Sequence, residues 1–191
     1  MTAFDKHQVA TFRFVRCSLD ESTGVAQLVY AFDNGPELVE TVTIPGAPFV
    51  LDGARAQAVE QALRLLHLFA GVSYYKAAVP EDVRIDSYAI DADTAALVET
   101  VYLNGLGEFA YRNGLNLRGR FRLPVQGEAV TAPSVGLREH ALVAIGGGKD
   151  SLVSIEALRA LGIEETVTWI GGSQLIRACA ERTGLPTLNI G

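Results

Sequence analysis

Cysteine is scarce in this sequence: Cys17 and Cys179 are the only two. Two distant thiols build neither a disulfide framework nor a cysteine metal site, so free thiols are expected. Basic charge is also in short supply. Lysine and arginine total 16 against 22 aspartates and glutamates, a formal net charge of −6. That balance disfavours a nucleic-acid partner, although local basic patches remain open. Long apolar runs are missing as well. None approaches the roughly 20 residues of a membrane-spanning helix. The start, Met1-Thr2-Ala3-Phe4-Asp5-Lys6, lacks the basic-then-apolar order of a signal peptide. A cytoplasmic protein without a membrane partner is therefore expected. The three histidines, His7, His67 and His140, are scattered, and packed or surface positions suit them better than catalysis. What is present is ordinary: 49% of the 191 residues are apolar and 20% are charged. That is a globular composition, long enough for one domain or about one and a half.

The first third reads as a β-meander over residues 9–45. Phe12 and Phe14 share one face of a strand and Arg13 the other; Val25 to Phe32 is rich in β-branched and aromatic residues; Leu38 to Ile44 alternates again. Asp33-Asn34-Gly35-Pro36 between two such runs is a hairpin signal. The middle is helical. Asp52 is placed to cap a helix from Gly53 to Ala70, with Val59, Leu63, Leu66 and Phe69 as its apolar stripe and Gly71 as its stop. Ser73-Tyr74-Tyr75-Lys76 then occupies a loop or short strand before Pro80. Val83 to Ile90 looks like a strand. Asp93 is placed to cap a second long helix carrying Leu97, Val101, Gly105 and Phe109 on one side, weakened by Gly105 and Gly107. Leu117 to Leu123 reads as a strand with Arg118, Arg120 and Arg122 on one face. The small, polar stretch from Pro124 to Gly136 is the best linker candidate.

The last third changes character. Ala141 to Ile145 is a continuous apolar run, as in a strand buried on both faces. Helix (Ser151 to Leu161), strand (Glu165 to Ile170), helix (Ser173 to Thr183) and a third strand (Pro186 to Ile190) follow. This β-α-β-α-β order is that of a parallel sheet. Gly146-Gly147-Gly148-Lys149-Asp150-Ser151 lies where the first strand meets its helix. Glycines let the main chain approach a ligand, and their N–H groups with the helix start form an anion cradle. Lys149 adds a cation and Ser151 a hydroxyl donor, so phosphate is the natural ligand. A Walker A loop fails, because Asp150 follows Gly-Lys and Val143 stands where a glycine is needed. A dinucleotide fingerprint fails, because Ser151 replaces its last glycine.

The stretch resembles instead the PP-loop of ATP pyrophosphatases, Ser-Gly-Gly-x-Asp-Ser, with Gly146 in place of the first serine. The resemblance implies that Gly146, Gly147, Gly148, Lys149, Asp150 and Ser151 hold ATP, that cleavage gives AMP and pyrophosphate, and that Asp150 helps hold Mg²⁺. With the β-rich first half and Ser73-Tyr74-Tyr75-Lys76, most of the chain is similar to the UDP-N-acetylmuramoyl-L-alanyl-L-glutamate epimerase (MurL) family. Members use ATP and Mg²⁺ to invert the terminal L-glutamate of the UDP-MurNAc-dipeptide. Lys76 then becomes a candidate proton carrier or carboxylate partner, with Tyr75 beside it and Tyr74 against the substrate; the alternative is two packing aromatics and a solvated lysine. Arg118, Arg120 and Arg122 are candidates for the UDP diphosphate, since arginine forks suit phosphate oxygens; the alternative is an edge strand kept soluble by charge. Gly171-Gly172-Ser173 is either a second nucleotide contact or a plain turn.

The expected architecture is an α+β domain over residues 1–136, then the first part of a PP-loop α/β parallel-sheet domain (adenine nucleotide α-hydrolase-like) over 137–191. Only three strands follow residue 140 where a doubly wound sheet has about five, so the second domain looks cut short and a longer polypeptide is expected. Another adenylating enzyme, an amide ligase or a tRNA-modifying one, and a non-catalytic ATP-binding module are the alternatives.

Overall fold

The computed structural model describes residues 5–129 and 131–191. The reading of Met1 to Phe4, and Val130 within the expected linker, lie outside the described residues. Thirteen elements follow in the order β1 (Thr11–Asp20), β2 (Val25–Phe32), β3 (Leu38–Thr43), α1 (Gly53–Ala70), α2 (Val72–Tyr75), β4 (Asp82–Ile85), α3 (Ala92–Gly105), α4 (Gly107–Arg112), β5 (Ala141–Ala144), α5 (Lys149–Ala160), β6 (Glu165–Ile170), α6 (Gln174–Arg182) and β7 (Thr187–Ile190). They make an α+β chain with two sheets, ordered β3-β2-β1-β4 and β5-β6-β7. Among the described residues, no helix is long and apolar enough to cross a membrane.

Two compact units divide the chain. The first comprises the residues up to Leu19, Gln27–Thr41 and Asp52–Pro133. Its meander forms as the alternation demands, with Phe12 and Phe14 both fully buried. The hairpin turn is locked at Asp33, whose φ of +48° is a left-handed conformation that a short polar side chain tolerates. Its carboxylate accepts the N–H groups of Ala10 and Thr11 at 3.1 and 2.9 Å. β4 pairs parallel with β1, Phe12 opposite Val83, so the sheet is not a pure meander. Behind it sits an aromatic core in which Tyr102 stacks on Phe121 at 4.0 Å and Tyr75 meets Phe121 at 4.9 Å. Each buried phenol finds a backbone acceptor: Tyr30 donates to His67 O, Tyr75 to Pro80 O and Tyr102 to Leu68 O. Buried hydroxyls need such partners.

Several local expectations are corrected here. On α1 the most buried residues are His67 and Leu68, while Leu66 of the expected stripe is 38% exposed. Asp52 occupies the cap position but makes no side-chain cap bond. Tyr74 and Tyr75 lie in a helical turn, α2, rather than a loop or strand. The strand expected over Val83 to Ile90 is the short β4 alone. Asp91, not Asp93, caps α3, its carboxylate accepting the Thr94 N–H at 2.9 Å. α3 buries Ala95, Val98 and Tyr102 and leaves Leu97 and Val101 exposed, because the face carrying Tyr102 is the one that packs, with Tyr102 stacked on Phe121 and bonded to Leu68 O. The glycine pair ends α3 at Gly105 and restarts the chain as α4. Residues 117–123 form a turn and extended coil, not a strand, although Leu117, Phe121 and Leu123 are buried as the alternation implied.

His67 carries a pH consequence. Its Nε2 meets the Val29 carbonyl at 3.0 Å and so must bear the proton, leaving Nδ1 to accept from the Tyr88 hydroxyl at 2.9 Å. Burial, which penalises the imidazolium, lowers its pKa to about 4 from 6.5. The unfolded chain takes up a proton near 6.5 and the folded one does not until about 4. Stability is therefore complete above pH 6.5 and falls as pH drops toward 4, by at most about 3 kcal/mol. Urea midpoints measured across that range should show the fall in the native chain and lose most of this component in His67→Gln.

The second unit gathers Asp20–Ala26, Val42–Leu51 and Ser134–Gly191. β5, β6 and β7 are parallel, with Val143 opposite Val167 and Thr168 opposite Leu188. Val143, Ile145, Ile155, Val167, Trp169 and Ala180 form its core, so α5 and α6 cover one face. β5 is an edge strand whose Leu142 is 56% exposed, which corrects the expectation of burial on both faces. Within the same unit Thr43 and Gly191 exchange both backbone hydrogen bonds, at 2.7 and 3.1 Å.

Candidate functional site

Two sets of residues carry chemistry, one in each unit. In the second unit the chain leaves β5 through Ile145, whose N–H still bonds Thr168 O at 2.8 Å, and turns at Gly146-Gly147-Gly148 into α5. Gly147 has φ +83°, a left-handed conformation that side chains rarely adopt. A Cβ on Gly146 or Gly148 would meet nothing within 4 Å, so the loop faces open space. Gly148 caps α5 with no side-chain bond, leaving the first N–H groups of a 12-residue helix uncapped. Lys149 and Asp150 are exposed beside them, and Lys149 has no ion-pair partner among the described residues. The Ser151 hydroxyl donates back to Gly148 O at 3.0 Å, which stiffens the loop and leaves its oxygen as an acceptor. Because the strands are parallel, Gly171-Gly172-Ser173 after β6 lies at the same end of the sheet. Gly171 has φ +86°, and Ser173 caps α6 by accepting from Ile176 at 3.4 Å. Ligands of open α/β sheets bind at this carboxyl end. Among the described residues no group of three or more His, Cys, Asp or Glu could hold a metal, around Asp150 or elsewhere.

In the first unit a cavity of about 600 Å³ is lined by Lys6, His7, Lys76, Glu81 and Arg120, with Val79 and Phe109 among its apolar walls. Lys76 and Arg120, far apart in sequence, thus share one cavity. Lys6 and His7 join them without a local sequence signal, since only the fold brings the N-terminal segment to this place. Arg120 approaches Glu81 at 3.4 Å, and its Nε is buried without a hydrogen-bond partner. Arg122 instead pairs with Glu99 at 2.5 Å, and Arg118 is exposed in the turn. The three arginines therefore do not present one common face. Tyr75 is fully buried, and burial pushes its phenol up to about 12, which gives it a packing position. Tyr74 stacks on Tyr30 at 4.7 Å and donates to Glu40 at 2.6 Å. That bond, more than burial, pushes its pKa up to about 12. Tyr74 also lines a second cavity, of about 770 Å³, with Phe32 and Leu38. Both cysteines are free and half-buried.

Comparison with known families decides the kinship: residues 3–191 match the MurL N-terminal domain. This chain belongs to the MurL family. Among curated MurL relatives, a protein of Xanthomonas oryzae pv. oryzae (strain MAFF 311018) named UDP-N-acetyl-alpha-D-muramoyl-L-alanyl-L-glutamate epimerase is 75% identical over 192 residues, covering 100% of this chain and 43% of the relative. Proteins of the same name from Salinispora tropica (38% identical over 183 residues) and Micromonospora sp. (36% over 184) each cover 93% of this chain and 40% of their own length. The chain thus spans less than half the length of these MurL relatives. No solved structure matches it. The MurL match runs through both the glycine loop and the Lys76 cavity, so neither lies outside the shared region.

Proposed function

We propose that this chain is the N-terminal part of an ATP-dependent epimerase that inverts the terminal L-glutamate of UDP-MurNAc-L-Ala-L-Glu, a step in making peptidoglycan precursors. The observation that carries the reading is the 75% identity over the whole chain to a protein of that name. The geometry supports the ATP part. The open three-glycine loop, the uncapped start of α5 and Lys149 form a donor set suited to phosphate oxygens. A strand, a glycine loop and an uncapped helix start in this order support reading 137–191 as the first part of a PP-loop domain. One carboxylate, Asp150, fits Mg²⁺, which keeps several waters and takes its other ligands from phosphates; the ion would neutralise phosphate charge there.

The chemistry explains why an epimerase would use ATP. Removing the α-proton beside a carboxylate places negative charge next to negative charge. Transfer of the adenylyl group to that carboxylate forms a mixed anhydride and releases pyrophosphate. The α-carbanion can then delocalise into the carbonyl, so a base can take the proton and an acid can return one to the other face. Water cleaves the anhydride to the inverted carboxylate and AMP. Lys76, exposed and without a carboxylate partner among the described residues, is the proposed proton carrier in this part of the protein.

The test uses the natural polypeptide that carries this sequence, and measures AMP release with and without the UDP-dipeptide in deuterated water. Substrate-dependent AMP release, with deuterium entering the glutamate α-position, is expected. Inversion without ATP consumption would sink the reading, as would ATP binding without AMP release, which would mark a binding module.

A further inference from the structure

We infer that the cavity lined by Lys6, His7, Lys76 and Arg120 is an oxyanion-binding site, with Arg120 as its anchor. Lys6, His7, Lys76 and Arg120 all line this cavity of about 600 Å³, and Glu81 is the one acid among its described lining residues. Lys6 and Lys76 have no ion-pair partner among the described residues. The chain as a whole carries a net charge of −6, so this lining runs against its overall sign.

Arg120 lines the cavity with a loosely held guanidinium: Glu81 reaches one terminal nitrogen at 3.4 Å. Its Nε is buried without a hydrogen-bond partner among the described residues, so an anion in the cavity is met by the terminal nitrogens. Two such N–H groups grip the two oxygens of a carboxylate or phosphate, and Lys76 and Lys6 share the charge.

Val79 lines the cavity with φ +54°, a left-handed conformation that is an outlier for a β-branched residue. The turn after α2 holds it there: the Val79 N–H bonds Tyr75 O at 2.9 Å, and the Tyr75 hydroxyl donates to Pro80 O at 3.2 Å. Strained residues of this kind concentrate at ligand clamps. Here the strain curls the chain so that Lys76 and Glu81 reach the same cavity.

The ligand is a carboxylate or a phosphate, and the inference does not depend on the epimerase reading, because the assay contains no nucleotide and follows no turnover. The natural polypeptide carrying this sequence is titrated calorimetrically with glutarate and, separately, with inorganic pyrophosphate, at about 0.15 M salt so that diffuse surface attraction is screened. Saturable binding of at least one is expected, and only the part weakened by Arg120→Gln is assigned to this cavity, because the loop from Gly146 to Ser151 is itself proposed to take pyrophosphate; glutarate alone identifies a carboxylate site, Arg120-dependent pyrophosphate binding a phosphate site. Arg120→Gln should weaken binding roughly tenfold or more, and Arg55→Ala, on the exposed face of α1, should leave it unchanged. If circular dichroism shows Arg120→Gln to be unfolded, the Lys6→Ala/His7→Ala double variant is used, since both side chains are exposed; a weakening of roughly threefold or more is expected. Failure of both anions to saturate, or wild-type binding by the folded variant, overturns the site.

Discussion

Replacing Lys76 by alanine is expected to slow glutamate inversion by roughly 10²–10⁴-fold, the range of a positioned acid or base. The residue sits at the C-cap of α2, with φ −62° and ψ −12°, exposed on the cavity rim. Its backbone is held by a bond to Val72 O at 3.3 Å, so the side chain can change without disturbing the turn. An arginine at this position separates two roles. Arginine keeps the positive charge but does not release a proton in proteins. Lys76→Arg should therefore remain as slow as Lys76→Ala if the amine moves the α-proton. The measurements are the inversion rate and deuterium entry at the glutamate α-carbon, in the natural polypeptide carrying this sequence. Turnover within about twofold of wild type in Lys76→Ala, or recovery in Lys76→Arg, would remove Lys76 from proton transfer.

Gly71→Ala should destabilise the chain by about 3 kcal/mol, the upper end for overpacking. The backbone is not the reason. Gly71 has φ −56°, a conformation open to any residue. The obstacle is that a Cβ there would stand 2.5 Å from Phe14 Cε1 and 3.0 Å from the Tyr102 hydroxyl. Phe14 and Tyr102 are 0% and 1% exposed, so neither has room to retreat. Tyr102 also gives its hydroxyl to Leu68 O at 2.7 Å, and a shift would strain that bond. Gly105→Ala is the contrast: nothing lies within 4 Å of a Cβ there, and it ends a helix. It should be neutral or stabilising by up to about 1 kcal/mol. Denaturant midpoints of the two variants decide the point; a Gly71→Ala loss no larger than that of a surface change would refute the close approach.

Gly71 also illustrates what local reading can and cannot recover. A glycine after an apolar helix reads as a stop, and α1 does end there. What keeps a side chain out of position 71 is Phe14, almost sixty positions earlier, and no window around residue 71 contains that information. The same holds for His67. Its neighbours in sequence place it near an apolar stripe, but the Val29 carbonyl and the Tyr88 hydroxyl that make it a buried neutral imidazole come from distant segments. Asp91, two residues before the expected cap Asp93, accepts the Thr94 N–H, and which face of α3 turns inward is set by what packs against it, such as Phe121 stacked on Tyr102. At residues 117–123 the period-2 burial was real and the strand was not. Alternation reports which side chains are buried, while a strand also needs a neighbouring strand to bond.

The sequence by itself determined most of the local elements. Turn residues and alternation are short-range properties, so the meander, α1, and the three parallel strands with their two helices were legible. The strand–loop–helix order around Gly146 to Ser151 was legible too, because it lies within one short stretch of chain. The tertiary structure alone decided what depends on distant residues meeting. It set β4 parallel against β1, made β5 an edge strand, and buried Tyr75 while leaving Lys76 exposed. It drew Lys6 and His7 to Lys76 and Arg120 around one cavity and parted Arg120 from Arg118 and Arg122. Backbone propensity acts between neighbours in sequence, whereas burial and charge act between neighbours in space, and only the folded chain specifies the second set.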